Sequence, residues 1–207
     1  MIEKATTVPK AEDEPTRARI LRAAERLFAV HGIDGVSLRR INAEARTNVA
    51  SANYHFGTKA DVVRAILADR MPSIERHRRT LLAERDASDA SVASIVRALI
   101  VPLAAVADSS ADGRAYVGFL ARLRVHSDPE LVRVVTRELA PSTRNLMNML
   151  STRLPDVPRE RLRVRWLLVV DLVLHALAEP ERFDAKPGTR FVEDLTAIAA
   201  AALAAPE

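Results

Sequence analysis

The chain holds no cysteine. Disulfides, thiolate nucleophiles and cysteine metal sites are therefore excluded, and a reducing cytoplasm is the expected setting. Aromatic residues make up only 4% of the 207 positions, and glycine occurs 6 times. Sheets favour aromatic and β-branched residues, so a chain dominated by Ala, Leu, Val and Arg is expected to be helical. Long apolar runs are also missing. Trp166–Val170 and Ala197–Ala205 fall well short of the ~18 residues of a membrane span, and the polar, acidic start Met1–Pro15 has no apolar segment of a secretory signal. A soluble protein with no membrane association is the expectation.

Enzyme signatures are lacking as well. The chain has no His-Glu-x-x-His, no glycine-rich phosphate loop and no Gly-x-Ser-x-Gly elbow, and its five histidines are scattered. No catalytic residue, metal ligand or cofactor is expected. A helical enzyme is the least favoured reading.

What the chain does have is charge concentrated in one place. Its net charge is +4. Residues 16–59 carry 8 basic and 3 acidic side chains, whereas residues 60–207 are nearly balanced, with 21 and 20. A basic segment on a neutral body suits a module that binds a polyanion, although a solvated basic helix face has the same composition.

That segment reads as a succession of short helices. After Pro15 and Thr16, the residues Ile20, Ala24, Leu27 and Phe28 recur at helical spacing, and Gly32 is placed to end the helix. Ser37 is a cap for a second helix with Leu38, Ile41 and Ala45 on one face. Asn48 is expected to cap a third, Val49 to Phe56, closed by Gly57. Thr58 and Asp61 then form a capping box for a fourth. A longer helix followed by two short ones makes a helix-turn-helix. Small and polar residues at the start of the third helix would let it enter a major groove about 12 Å wide.

The residues Thr16, Arg17, Ile20, Leu21, Ala24, Leu27, Phe28 and Gly32, then Ser37-Leu38-Arg39-Arg40-Ile41, then Asn53-Tyr54-His55-Phe56-Gly57-Thr58-Lys59, resemble the tetracycline-repressor (TetR) family. The likeness covers about the first third of the chain. It implies a homodimer on a two-fold-related, double-stranded DNA operator, usually a repressor released by a small-molecule effector. Positions matching the family's DNA contacts are Ser37, Arg39, Asn48, Val49 and Ser51; those matching its phosphate contacts are Tyr54, His55 and Lys59. Two positions depart from the pattern. Asn42 stands where alanine is usual and would bring a polar group to a packed spot. Arg46 stands where a turn glycine with positive φ is usual, a conformation that costs other residues roughly 1–2 kcal/mol. An alternative is therefore a regulator of the same fold with weakened DNA binding.

The expected architecture is all-α, with a tail over residues 1–15, a three-helix DNA-binding module over 16–60 and a larger helical ligand-binding and dimerisation domain over 61–207. Within that domain helices are expected from about Lys59 to Arg85, Ser88 to Ala107, Gly113 to Ser127, Pro129 to Leu154, Pro158 to Glu179 and Thr189 to Ala204. The stripe Leu162, Trp166, Val169, Val170, Val173 and Leu177, with Phe191, Leu195, Ile198 and Ala202 of the last helix, suits either a four-helix dimer interface or closure of the monomer core. Tyr116, Phe119, Arg122, His126, Met147, Trp166, Asp171 and His175 are the aromatic, soft or polar residues available to a ligand pocket, and each is equally readable as an ordinary core residue. Asp171 and His175, four apart, share a helix face and could pair.

Overall fold

The structure is a computed structural model that describes residues 15–84, 91–124, 128–183 and 188–206. The tail before Pro15 and the pocket candidate His126 lie outside the described residues. Every regular element among those described is helical: α1 (Thr16–His31), α2 (Leu38–Glu44), α3 (Ser51–Phe56), α4 (Lys59–Ala83), α5 (Val92–Ser109), α6 (Ala111–Arg124), α7 (Pro129–Arg153), α8 (Arg159–Ala178) and α9 (Thr189–Ala204), with a 3-10 turn at Pro180–Phe183.

The start and stop signals act where the sequence places them. Ser37 Oγ accepts the Arg40 N–H, and Thr58 and Asp61 form the reciprocal capping box. Asp128 accepts from the N–H groups of Glu130 and Leu131 ahead of Pro129. Gly32 and Gly57 end α1 and α3 at φ 69° and 82°, a region that suits glycine. Helix α3 is shorter than expected. It begins at Ser51, because Asn48 Oδ1 takes the Ala50 N–H and Asn48 O takes the Ser51 N–H, folding residues 48–51 into a turn.

Helix α1 carries Ile20, Ala24 and Phe28 fully buried against the body. Its main neighbour is α6, which also packs on α5 and α8. The Phe28 ring stacks on Phe119 with centroids 5.9 Å apart, and Phe119 lies 6.1 Å from Tyr116. At the α5–α6 junction a side chain on Gly113 would collide with Val106 O, so the tight turn there requires glycine.

Helix α5 is the most apolar element, long and apolar enough by composition to cross a membrane, yet half of that window is buried inside the bundle. It contacts α4, α6, α7, α8 and α9. The helix expected from about Ser88 to Ala107 is thus present, and Arg97 and Pro102 interrupt its apolar runs. Burial on several sides explains the composition without a membrane.

The α8 stripe resolves in favour of the monomer. Leu162, Trp166, Val169, Val170, Val173 and Leu177 are all buried within the single chain. The apolar surface left open lies on the opposite side of α8, at Val164, Leu168 and Leu172, and on α9, which packs on α8, Ile198 is exposed as well.

Candidate nucleic-acid interface and effector cavity

The second and third helices are held together by one buried amide. Asn42, 1% exposed, donates from Nδ2 to Val49 O at 2.6 Å. Its Oδ1 accepts the Ala52 N–H at 2.9 Å and the Thr47 hydroxyl at 3.1 Å. The polar group expected to disturb a packed position is instead satisfied on both its donor and acceptor sides, which makes it a stabilising element.

Arg46 adopts φ 53°, the left-handed conformation expected of it. Arg19, from α1, grips this turn. Its guanidinium donates to Ala45 O at 2.7 Å and to Arg46 O at 2.5 Å. Sequence reading missed Arg19, since nothing in its spacing distinguishes it from the other arginines of α1.

Around this frame Ser37, Arg39, Asn48, Val49, Tyr54 and His55 are exposed, with Val49 at 66% and Tyr54 at 86%; Ser51 and Lys59 are half-buried. The Ser37 hydroxyl is occupied as the α2 cap and the Asn48 side chain as the Ala50 cap. Lys59 Nζ donates to Ile33 O at 3.0 Å, which leaves further donors on the ammonium. Val49 and Tyr54 are largely exposed, Tyr54 meeting the His55 ring edge-on, and neither belongs to the core. They fit contact with a second macromolecule.

The basic count of the module overstates its outward charge. Arg26 pairs with Asp112 and Glu44, Arg22 with Asp112, Arg19 is spent on the turn, and Arg17 lies over the Phe56 ring. Arg39, Arg40 and Arg46 remain exposed on or beside the short helices, Arg40 meeting the His31 ring, and Arg17 keeps its charge at the surface.

Beneath the module, Glu25 of α1 is 2% exposed and receives a two-pronged bond from Arg70 of α4, at 3.2 and 2.9 Å. Burial pushes the Glu25 carboxyl above its usual range, with Arg70 opposing the shift. The Arg70 guanidinium also lies over the Tyr116 ring. The Tyr116 hydroxyl is buried with no hydrogen-bond partner among the described residues, and burial pushes its pKa up strongly.

A cavity of about 410 Å³ opens between α4, α5, α6, α7 and α8. Met71, Ile74, Leu103, Leu139, Met147 and Trp166 are among its apolar lining, within the size range of small-molecule sites. Of the eight pocket candidates, this lining contains Met147 and Trp166. Tyr116 and Phe119 are spent on the core against α1. Arg122 is exposed and reaches back to Ala29 O at 3.4 Å. Asp171 pairs with Arg124 rather than with His175, whose Nδ1 meets the Asp171 backbone carbonyl at 2.8 Å. Four arginines that composition alone did not single out, Arg78, Arg124, Arg144 and Arg163, line the cavity instead. Arg78 is buried and bonds to Ala98 O and Glu75, and burial lowers its pKa.

Two family models divide the chain between them. Residues 20–66 match the model of bacterial regulatory proteins of the tetR family, and residues 97–205 match the tetracyclin repressor-like C-terminal domain. The chain belongs to the TetR family. Membership places it among transcriptional regulators and not among enzymes.

TetR-type relatives agree at the N-terminal end. An HTH-type transcriptional repressor of Streptomyces coelicolor is 40% identical over 60 residues, 29% of this chain and 31% of that protein. The HTH-type transcriptional regulator SrpR of Pseudomonas putida is 35% identical over 65 residues, 31% of this chain and 30% of its own. These matches thus span about a third of the curated relatives. Over the whole fold, a TetR-like regulator from Rhodococcus sp. RHA1 superposes with a TM-score of 0.64 at 17% identity, covering 95% of this chain and 96% of its own. AmtR of Mycobacterium smegmatis gives 0.60 at 22%, covering 97% and 91%.

Proposed function

We infer that this TetR-family chain is a homodimeric repressor that holds a two-fold-related DNA operator and lets go when a small molecule enters the cavity. The observation that carries this reading is the course of α4. Its first residue, Lys59, sits directly behind α3, while Met71, Ile74 and Arg78 farther along the same helix line the cavity. A ligand that moves the middle of α4 therefore acts on one continuous helix, with Pro72 inside it, that begins at the DNA module. The repressor sense follows the Streptomyces coelicolor relative, a transcriptional repressor.

Val164, Leu168 and Leu172 of α8, four apart along the helix, and Ile198 of α9 supply the dimer face, with Ala197 and Ala201 as small neighbours that allow close approach. In the dimer the two recognition helices would lie one DNA turn apart, about 34–36 Å. The alternative of a module too weak to bind DNA loses its motive, because Asn42 is fully bonded and the Arg46 turn is gripped by Arg19.

Selection of bound sequences from random DNA, followed by footprinting upstream of the chain's own coding region, tests this reading. A palindromic site bound far above random DNA is the expected result. Binding that never exceeds the non-specific level, at low and at moderate salt, would overturn it. On such a site Ser51→Ala should change base preference, whereas Tyr54→Phe should weaken all sequences alike.

A further inference from the structure

The cavity is apolar along its walls but one-sided in charge. Among the described residues its lining contains four arginines and no aspartate, glutamate, lysine or histidine. Two of the four are neutralised by carboxylates outside the lining, Arg78 by Glu75 and Arg124 by Asp171. Arg144 of α7 and Arg163 of α8 are exposed and have no ion-pair partner among the described residues. They stand on the two helices that flank one side of the cavity. Thr136 and Thr143 add hydroxyls on α7.

An apolar body with a negatively charged end satisfies this arrangement. Its hydrocarbon part would replace water against Met71, Ile74, Leu139 and Trp166, as apolar burial favours. Its charged end would receive guanidinium N–H groups from Arg144 and Arg163, which match a carboxylate in a planar, two-pronged fashion. A neutral molecule of the same shape gains only the first contribution. A cation meets uncompensated positive charge.

We propose that the effector is an apolar carboxylic acid, bound with its chain or ring among the cavity walls and its carboxylate at Arg144 and Arg163. The proposal rests on the reading of the cavity as the effector site and adds the chemical class.

Trp166 is the only tryptophan in the chain and lines the cavity, so its emission reports occupancy without a label. The probes are dodecanoate, dodecanol and dodecyltrimethylammonium, each below its micelle concentration, titrated into the full-length protein with and without operator DNA. Dodecanoate should shift Trp166 emission and release DNA at concentrations about tenfold or more below those dodecanol requires, with the ammonium weakest. In a protein carrying both Arg144→Gln and Arg163→Gln, exposed positions whose change leaves the core intact, dodecanoate should fall to the level of dodecanol while dodecanol binding is retained. Equal binding of acid and alcohol, a preference for the ammonium, or a preference for the acid that survives the double substitution would overturn the charge assignment and leave the effector site standing. If none of the three probes moves Trp166 emission or DNA affinity, the effector reading of the cavity falls, and the assignment with it.

Discussion

Asn42 Oδ1 accepts the backbone N–H of Ala52 at 2.9 Å, tying the second helix of the DNA module to the first turn of the third. The same side chain donates to Val49 O, so one amide fixes both ends of the turn that aims α3. Asn42→Ala restores the residue usual in the family and removes these two bonds and the one from the Thr47 hydroxyl, which keeps the backbone carbonyl of residue 42 as an acceptor. Ala52 N is buried, and its lost acceptor is the larger part of the penalty. A loss of about 2–3 kcal/mol in urea unfolding is expected, from one orphaned buried donor plus one lost bond. A variant as stable as the parent would show that the alanine solution is accessible to this turn without the amide.

Arg46 carries the single positive φ found outside glycine among the described residues. Arg46→Gly should raise stability by about 1 kcal/mol in the same measurement, because glycine occupies that conformation without strain. The Arg46 side chain is exposed beside the DNA-facing residues, so a second readout is informative. If the guanidinium meets a phosphate, the glycine variant binds operator more weakly and the slope of log affinity against log salt drops by roughly 0.9 for each dimer half that loses a contact. Unchanged stability would show that the grip of Arg19 on the carbonyls of Ala45 and Arg46 already absorbs the strain.

The helices and caps of the first sixty residues were legible in the sequence because their signals are local. Ser37, Gly32, Gly57 and the Thr58–Asp61 box act on neighbours a few positions away. Arg19, Glu25 and Arg70 act over 26 to 45 positions of separation, and no spacing rule connects them. The cavity failed for a related reason. Tyr116 and Phe119 are the kind of residue a pocket uses, but Phe28 of α1 claims the Phe119 ring, and Tyr116 lies between Phe119 and the Arg70 guanidinium. The polar chemistry came instead from arginines, which on amphipathic helices are indistinguishable in sequence from solvated surface charge. The α8 stripe was found correctly as a stripe. Which of the two partners it faces, core or second copy, is not a property of one helix.

Arg70 and Glu25 join α4 to α1 in the part of the fold between the cavity and the DNA module. Arg70→Met leaves a buried carboxylate without its counter-ion. A destabilisation of about 3 kcal/mol near neutral pH is expected, the lower end for breaking a buried pair, because Arg70 itself keeps 29% exposure. Burial alone then acts on Glu25, raising its folded-state pKa further above the unfolded value. A carboxyl shifted upward favours the folded state at low pH and disfavours it as pH rises through the folded value. The penalty of Arg70→Met should therefore shrink as the solution is acidified toward the ordinary glutamate range, and Arg70→Met with Glu25→Gln should be less sensitive to pH. A penalty that is the same at both ends of that window would mean that Glu25 is neutral in the folded protein throughout.

Leu168 of α8 and Ile198 of α9 lie on the outer apolar face and are 65% and 58% exposed. Neither touches the core, so a charge at either position leaves the monomer's packing unaltered. Paired across a two-fold axis, the same substitution places like charges opposite each other and desolvates them, at a cost of several kcal/mol. Leu168→Glu with Ile198→Glu is therefore expected to yield a folded monomer by sedimentation at micromolar concentration, with helical content and thermal midpoint close to the parent's at high dilution. Operator affinity should fall steeply, since one half-site contact must then hold the DNA alone. The stripe that includes Trp166 and Val170 gives the control. Val173→Glu, at a position 1% exposed and outside the cavity lining, introduces a charge into the monomer core and should unfold the chain rather than divide it. A Leu168→Glu, Ile198→Glu protein that remains dimeric would place the interface elsewhere on the body.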